Sequence, residues 1–123
     1  MYKHILVPVD GSTASMAAID KAAGLARAYG VPVTAIFVID PYPFTGVGAD
    51  FAYGQDQYLN AARAEAGAAI EAANQRLQAA GVQVDSRVVE SHAVWRGILE
   101  AAGAVGADLI VMGSHGRRGL EKL

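Results

Sequence analysis

His4-Ile-Leu-Val-Pro-Val9, followed directly by Asp10-Gly-Ser12, is the stretch that decides the fold of this chain. A nearly continuous apolar run of this length is typical of a strand that is covered on both faces of a sheet. The Asp-Gly-Ser turn ends the strand, and Ser12 or Thr13 can cap a helix that reaches about Tyr29, where Gly30 stops it. The opening of the chain therefore predicts a strand followed by a helix.

The same alternation continues to the end of the sequence. Apolar runs predict three more strands, and alanine-rich segments between them predict two more helices; the strands are Val33–Ile39, Val82–Val89 and Asp108–Met112, and the helices are Gln55–Ala80 and Val94–Val105. Strands separated by helices indicate βαβ units. We expect a single α/β domain over residues 1–123, with a parallel sheet and helices on both of its faces.

Apolar residues recur at helical spacing in the first and last of these helices, and we expect them to face the core. They are Met16, Ile19, Ala23 and Ala26 in the first helix, and Trp95, Ile98, Leu99 and Ala102 in the last. The spacing places Trp95 in the helix core or at an interface.

The segment Pro41–Gly54 does not follow the pattern, because it contains two prolines and several aromatic residues. It is longer than an ordinary connection, which predicts a functional or mobile loop. The alternative is an aromatic flap that covers its own part of the core.

Composition excludes several classes of protein. The net charge of −2 and the isoelectric point of about 5.8 argue against nucleic-acid binding, which would require a broad basic face. No window approaches the ~18 consecutive apolar residues of a membrane span, and the N-terminus does not resemble a signal peptide. Without cysteine there is neither a disulfide framework nor a thiolate metal site. These features lead us to expect a cytoplasmic protein.

Polar turns follow the ends of the first and fourth strands. Ligands of open parallel sheets bind at the carboxyl ends of the strands, where the direction of winding reverses. If these two strands are neighbours, Asp10 and Gly113 face the same crevice. The Asp10 carboxylate can accept hydrogen bonds from a base or a ribose; the alternative is an Asx-type turn that starts the helix.

Gly113-Ser-His-Gly116 is a glycine turn of a kind that can hold phosphate, although the pattern is weak by itself. Arg117 and Arg118 follow it and could pair with phosphates, or could form a solvated basic turn. His115 is the single histidine in this candidate pocket. The three histidines are too scattered to suggest a metal triad, and no spacing indicates a serine-histidine-aspartate or paired-carboxylate site.

With these two turns placed, the chain resembles the universal stress protein family. The motifs that carry the resemblance are Tyr2-Lys-His-Ile-Leu-Val-Pro-Val-Asp-Gly-Ser12, Ile36-Phe-Val-Ile-Asp40, Ala107-Asp-Leu-Ile-Val-Met112 and Gly113-Ser-His-Gly-Arg-Arg-Gly-Leu120. The resemblance implies a three-layer, doubly wound, adenine-nucleotide alpha-hydrolase-like fold with strand order 3-2-1-4-5. It also implies that a full-length member forms a homodimer through the fifth strand.

In the ATP-binding branch of that family, the resemblance implies, adenine lies near Asp10 and Val38. Pro8 and Val9 would line that end of the site, and Met112 would lie beside Gly113. Gly113 and Gly116 would hold the ribose and the phosphates, with His115 between them. Magnesium would arrive with the nucleotide.

The family motif continues for nine residues after the second glycine and then ends in Gly-Ser or Gly-Thr. That position falls beyond Leu123, as does the fifth strand. Because proteins rarely leave a long apolar strand edge unprotected, we expect this chain to be part of a longer protein; the alternative is a naturally truncated member with an impaired phosphate site. The function implied is an ATP-dependent regulatory switch in stress response, with at most slow hydrolysis. The alternative is a nucleotide-free module for dimerisation or partner binding; an enzyme of the adenine-nucleotide hydrolase type would be expected to show a catalytic cluster.

Overall fold

A computed structural model of the protein describes residues 2–41 and 49–113, with side chains described at all of these except 49–53. Its elements in chain order are β1 (Ile5–Pro8), α1 (Thr13–Tyr29), β2 (Val33–Ile39), α2 (Ala49–Ala79), β3 (Val84–Glu90), α3 (Val94–Val105) and β4 (Leu109–Ile110). The four strands are parallel and lie in the order β3-β2-β1-β4. The predicted α/β class is confirmed, and so is the adjacency of the first and fourth strands.

The side chains of the strands alternate between two separately covered faces of the sheet. Ile5, Val7 and Val9 point to the face that α1 and α2 cover, where they form the larger core cluster. Leu6 points to the opposite face, where it packs with Ile98 of α3. Because both faces are buried, the central strands are apolar at almost every position, which is why the sequence shows runs instead of alternation.

Helix α1 begins and ends where its sequence predicts. Ser12 is the N-cap, since its hydroxyl accepts the N–H of Ser15 at 3.1 Å. Gly30 ends the helix with φ of 67°, a left-handed conformation that glycine adopts without strain. Of the predicted core residues on this helix, Ile19, Ala23 and Ala26 are buried and Met16 is partly buried against them.

Two predictions from the sequence are wrong. Helix α2 already begins at Ala49, so the predicted loop does not extend to Gly54; residues 42–48 lie outside the described residues. Trp95 and Leu99 of α3 are 61% and 57% exposed, so neither belongs to the core; the other position expected for Trp95, an interface, stays a prediction. The apolar face of α3 is wider than the surface that the helix buries, and the spacing of apolar residues does not show which of them are buried.

At the amino ends of the strands, Asp108 ties the start of the chain to the start of β4. Its carboxylate accepts the N–H groups of Lys3 (3.1 and 2.9 Å) and His4 (3.1 Å). These bonds, above all those from Lys3, hold the pKa of Asp108 below its ordinary value of 3.8. Among the described helices, none combines the length and the apolar character that crossing a membrane requires.

Candidate functional site

The candidate site lies at the carboxyl edge of the sheet, the edge at which all four parallel strands end. Strands β2 and β3 lie to one side of β1 and strand β4 lies to the other, so the winding reverses direction at β1. Asp10 follows β1 and Gly113 follows β4, and the pairing of these two strands brings both residues to the same edge. A crevice at this reversal is where parallel α/β sheets hold their ligands.

Asp10 is held in a hydrogen-bonded turn. Its Oδ1 accepts the N–H of Ser12 at 2.9 Å, and its own N–H donates to the hydroxyl of Ser15 at 3.1 Å. Gly11, between Asp10 and the cap, has φ of 82°. The Asx-type turn anticipated for Asp10 is therefore present, and it fixes the carboxylate beside the start of α1. A ligand-binding role would be additional to this one.

Three of the predicted site residues share one face of the sheet at the carboxyl edge. Val38 packs against the cluster that α3 covers, and strand alternation places Pro8 and Met112 on the same face. Met112 is 44% exposed, and Pro8 and Val38 are half-buried. Together they offer an apolar surface on neighbouring strand ends, in the order Val38, Pro8, Met112 across the sheet.

The side chain of Val9 points the other way. It is 5% exposed within the core beneath α1 and α2, so a contact of Val9 with a ligand in the crevice would involve its main chain. Its N–H donates to the carbonyl of Ile36 at 2.8 Å. The role predicted for Val9 remains a prediction, restricted in this way.

Gly113 lies against the first turn of α1. A Cβ added at Gly113 would lie 2.8 Å from the carbonyl oxygen of Ala14 and 2.9 Å from its Cβ. Glycine is thus needed here for packing, because any side chain would collide with helix backbone. The contact holds Gly113 beside the N-terminus of α1. His115 and Gly116 lie outside the described residues, as do Arg117 and Arg118.

The main chain that leaves β2 is held by contacts that sequence reasoning missed. The hydroxyl of Tyr58 donates to the carbonyl of Asp40 at 3.0 Å, and the Nε2 of Gln55 donates to the carbonyl of Pro41 at 2.8 Å. On the other side, a Cβ added at Gly97 would lie 2.9 Å from the Cβ of Ser91 and 3.0 Å from a methyl of Val38. Nothing in the sequence pattern marks Gln55 or Tyr58, because both lie in a long amphipathic helix.

An open depression of ≈ 650 Å³ lies beside the same turn, but on the α1 and α2 side of the sheet. Its lining consists of Asp10, Gly11, Ser12, Met16, Glu65, Ala68, Ala69 and Ala72. It therefore shares Asp10 with the crevice and none of the apolar residues Pro8, Val38 or Met112. Within residues 2–41 and 54–113, no three His, Asp or Glu side chains come together as metal ligands would.

Comparison with known proteins decides the family. The sequence model of the universal stress protein family matches residues 1–123, the whole chain. The chain belongs to the universal stress protein family. The resemblance seen in the sequence motifs is thus confirmed.

Relatives of this universal stress protein agree along almost all of its length. It is 33% identical over 124 residues to universal stress protein MJ0531 of Methanocaldococcus jannaschii, covering 100% of this chain and 71% of that protein. A solved member of the family from Burkholderia pseudomallei is 31% identical, with a TM-score of 0.79 over 98% of this chain and 89% of the other. A universal stress protein solved in complex with cAMP is 28% identical, with a TM-score of 0.68 over 92% and 77%. The doubly wound, adenine-nucleotide alpha-hydrolase-like fold is confirmed by these similarities.

Proposed function

We propose that this universal stress protein binds ATP at the carboxyl-edge crevice and acts in the cytoplasm as a nucleotide-dependent regulatory switch. The observation that carries the proposal is the convergence of Asp10, Gly113 and the apolar trio Pro8, Val38 and Met112 where the winding reverses. The relative solved with cAMP supports an adenine nucleotide as the ligand.

The residues of the crevice suit the parts of a nucleotide. Pro8, Val38 and Met112 supply an apolar surface of the kind that a purine base prefers. The carboxylate of Asp10, at the end of β1, is assigned to accept hydrogen bonds from a base or a ribose hydroxyl. Beyond Gly113 in the sequence, we assign Gly116 and His115 to the ribose and the phosphates, because the main-chain N–H groups of a glycine turn can approach an anion closely.

We expect magnesium to bind together with the nucleotide, mostly through the phosphate oxygens. The ion would neutralise phosphate charge. No residue is assigned as a nucleophile or general base, so ATP hydrolysis is expected to be slow if it occurs. We assign the regulatory function to the homodimer of the full-length protein. Strand β4 lies at the edge of the described sheet, where a further strand could pair with it.

Titration calorimetry of ATP into the folded full-length protein tests this proposal. Asp10→Asn keeps an oxygen that can accept the N–H of Ser12 and removes the negative charge, so it should weaken ATP binding without losing the turn. Asp20→Asn is the matched control, because Asp20 is an exposed carboxylate on α1 that pairs with Arg76. ATP binding unaffected by Asp10→Asn would remove Asp10 from the site, and absence of ATP binding by folded wild-type protein would overturn the proposal.

A second candidate is a nucleotide-free module for dimerisation or partner binding. Two observations favour it: the contact with Ala14 explains the glycine at 113 without a ligand, and Trp95 and Leu99 expose apolar surface on α3. This candidate predicts a self-association constant unaffected by ATP and lowered by Trp95→Ala. If the protein is instead an ATP-dependent switch, the Trp95→Ala variant should bind the nucleotide with unchanged affinity even when it is diluted to monomer.

A further inference from the structure

Strand β3 has a long outer edge. It is the first strand in the order β3-β2-β1-β4, so within the described residues it pairs with β2 alone. It is seven residues long, whereas β4 at the opposite edge of the described sheet has two residues. An edge of this kind presents a row of main-chain N–H and carbonyl groups that another strand can bind.

The hydrogen bonds to β2 show which main-chain groups of β3 face outward. The N–H of Val33 donates to the carbonyl of Gln83, and the N–H of Ser91 donates to the carbonyl of Ile39, both at 2.9 Å. Residues 83 and 91 therefore bond toward β2, and these groups alternate in direction from one residue of a strand to the next. The residues whose N–H and carbonyl groups point away from β2 are Val84, Ser86 and Val88.

The side chains of these three residues lie on the face of the sheet that α2 covers. The hydroxyl of Ser86 accepts a hydrogen bond from the Nδ2 of Asn74 of α2, at 3.3 Å. Val84 is partly buried against the larger core cluster. Val88 is 47% exposed, so α2 leaves much of it uncovered. A further strand at this edge would cover it.

The opposite face of β3 carries one acidic and one basic residue on either side of Ser86. Strand alternation directs Asp85 and Arg87 to this face. Their side chains are 67% and 48% exposed, and the Nε of Arg87 lies 3.6 Å from the Oδ2 of Asp85. An antiparallel copy of the strand centred on Ser86 would therefore place each charge opposite its counterion.

Two copies of β3 paired in this way complement each other along the strand. Ser86 faces the same residue of the second copy, Val88 faces Val84, and each of them exchanges both of its outward main-chain hydrogen bonds with the residue opposite. Asp85 faces Arg87 at a position without main-chain bonds, where opposite side chains are closest. The pairing thus joins opposite charges on one face of the sheet and covers Val88 on the other.

Charge selects this register over its neighbours. If the second copy slides by two residues in one direction, Asp85 faces Asp85, and if it slides by two in the other direction, Arg87 faces Arg87. Opposite charges across a strand pair stabilise it and like charges destabilise it. A slide by one residue sets outward-facing groups against groups that are already bonded to β2. The sequence of β3 therefore fits a second copy of itself in one register.

We propose that the outer edge of β3 is a self-association surface, at which a second copy of this chain pairs antiparallel about Ser86. This surface is separate from the nucleotide site and from the edge at β4 that the homodimer is expected to use. A protein that uses both edges forms assemblies larger than a dimer. Because a single pair of strand edges buries little area, we expect the contact to be weak, with a dissociation constant of about 10–100 μM.

The charges of β3 have another explanation, since charged side chains on an edge strand can also prevent unwanted pairing. The two explanations predict opposite results when both charges are removed by combining Asp85→Asn with Arg87→Gln. A self-complementary edge should then associate about 3-fold more weakly, because two ion pairs are lost. A protected edge should associate more strongly.

Sedimentation velocity of the full-length protein, across micromolar concentrations, measures the association. Asp85→Arg and Arg87→Asp each set like charges against each other at both symmetric contacts, so each should weaken association about 10-fold or more. The two reversals combined restore opposite charges and should bring association back to within about 3-fold of wild type. Glu100→Arg is the control, because it makes the same charge change at an exposed position of α3.

Cross-linking through single cysteines locates the contact, since the chain has no cysteine of its own. In Ser86→Cys the thiol lies on the two-fold axis, with the two Cβ atoms about 5 Å apart, so a short bismaleimide should join the copies. In Gln83→Cys each thiol faces residue 89 and lies about 20 Å from its own copy, so the same reagent should not join them. Position 83 is exposed and position 86 is half-buried, so accessibility alone would give the reverse result.

Three results would overturn the self-association of β3. The first is an association constant that neither single reversal changes, as dimerisation through the opposite edge alone would give. The second is stronger association of the variant that lacks both charges. The third is cross-linking of Gln83→Cys as rapid as that of Ser86→Cys, or no cross-linking of Ser86→Cys at concentrations where the wild type associates. None of these results bears on nucleotide binding, which titration of the same variants with ATP measures separately.

Discussion

Replacing Gly113 by alanine tests the close contact of Gly113 with the first turn of α1. The added Cβ would lie 2.8 Å from the carbonyl oxygen of Ala14, and 2.9 Å from both its carbonyl carbon and its Cβ. Carbon atoms in good contact lie about 3.5–4.0 Å apart, so the main chain would have to move by more than half an ångström. The obstacle is helix backbone, which cannot turn aside as a flexible side chain could.

The size of the effect follows from what resists that movement. The first turn of α1 is held by the Ser12 cap, through its bond from Ser15 at 3.1 Å, and by the bond from the N–H of Met16 to the carbonyl of Ser12 at 3.0 Å. Overpacking of this kind costs about 1–3 kcal/mol in the free energy of unfolding. A gain of about 0.4–1 kcal/mol from the lower entropy of the unfolded chain offsets part of it.

Urea unfolding followed by circular dichroism measures the outcome, with Gly103→Ala as the matched control. Gly103 lies on the exposed side of α3, where an added Cβ meets nothing within 4 Å, so that variant should gain about 0.5–1 kcal/mol from helix propensity. The two variants should therefore differ by about 1–3 kcal/mol. Equal stability of both variants, or a Gly113→Ala protein more stable than wild type, would refute the contact with Ala14.

Three further predictions concern other parts of the molecule. Gly97→Ala should push Val38 from its place and so lower ATP affinity more than Gly103→Ala does, as calorimetry of the two variants can compare. Because hydrogen bonds lower the pKa of Asp108 below 3.8, the stability it contributes is present above that pH and is lost as the pH falls below it. Asp108→Asn should therefore lower the melting temperature at neutral pH and flatten its decline below about pH 4; an unchanged decline would contradict this. The fluorescence of Trp95, the single tryptophan, should change on ATP binding, since the first turn of α3 lies at the carboxyl edge; saturation with no change in emission would count against that placement.

The sequence was sufficient to predict the sheet because its central strands are buried on both faces. The apolar run ending at Val9 and the turn beginning at Asp10 predict one strand end and one cap, and the structure confirms both. Family resemblance supplied the adjacency of β1 and β4, which no local pattern encodes. It thereby placed Asp10 and Gly113 at one edge of the sheet.

What the sequence did not predict depends on contacts between residues that are distant in the chain. Proline and aromatic residues suggested a loop through Gly54, yet a long helix that packs on the sheet includes the last part of that segment. The donors Gln55 and Tyr58 could not be recognised, because their partners are main-chain carbonyls at the end of another strand. Trp95 has the spacing of a core residue, but the surface that α3 buries is too narrow to include it, so its side chain is exposed.

Calorimetric titration of ATP into the folded full-length protein is the decisive measurement for nucleotide binding at the carboxyl edge of the sheet. We expect one nucleotide to bind per chain with a dissociation constant in the micromolar range, and we expect this affinity to be weakened by Asp10→Asn and unchanged by Asp20→Asn. A folded protein that releases or absorbs no heat with ATP, and that retains no ATP in equilibrium dialysis at millimolar concentration, would contradict it.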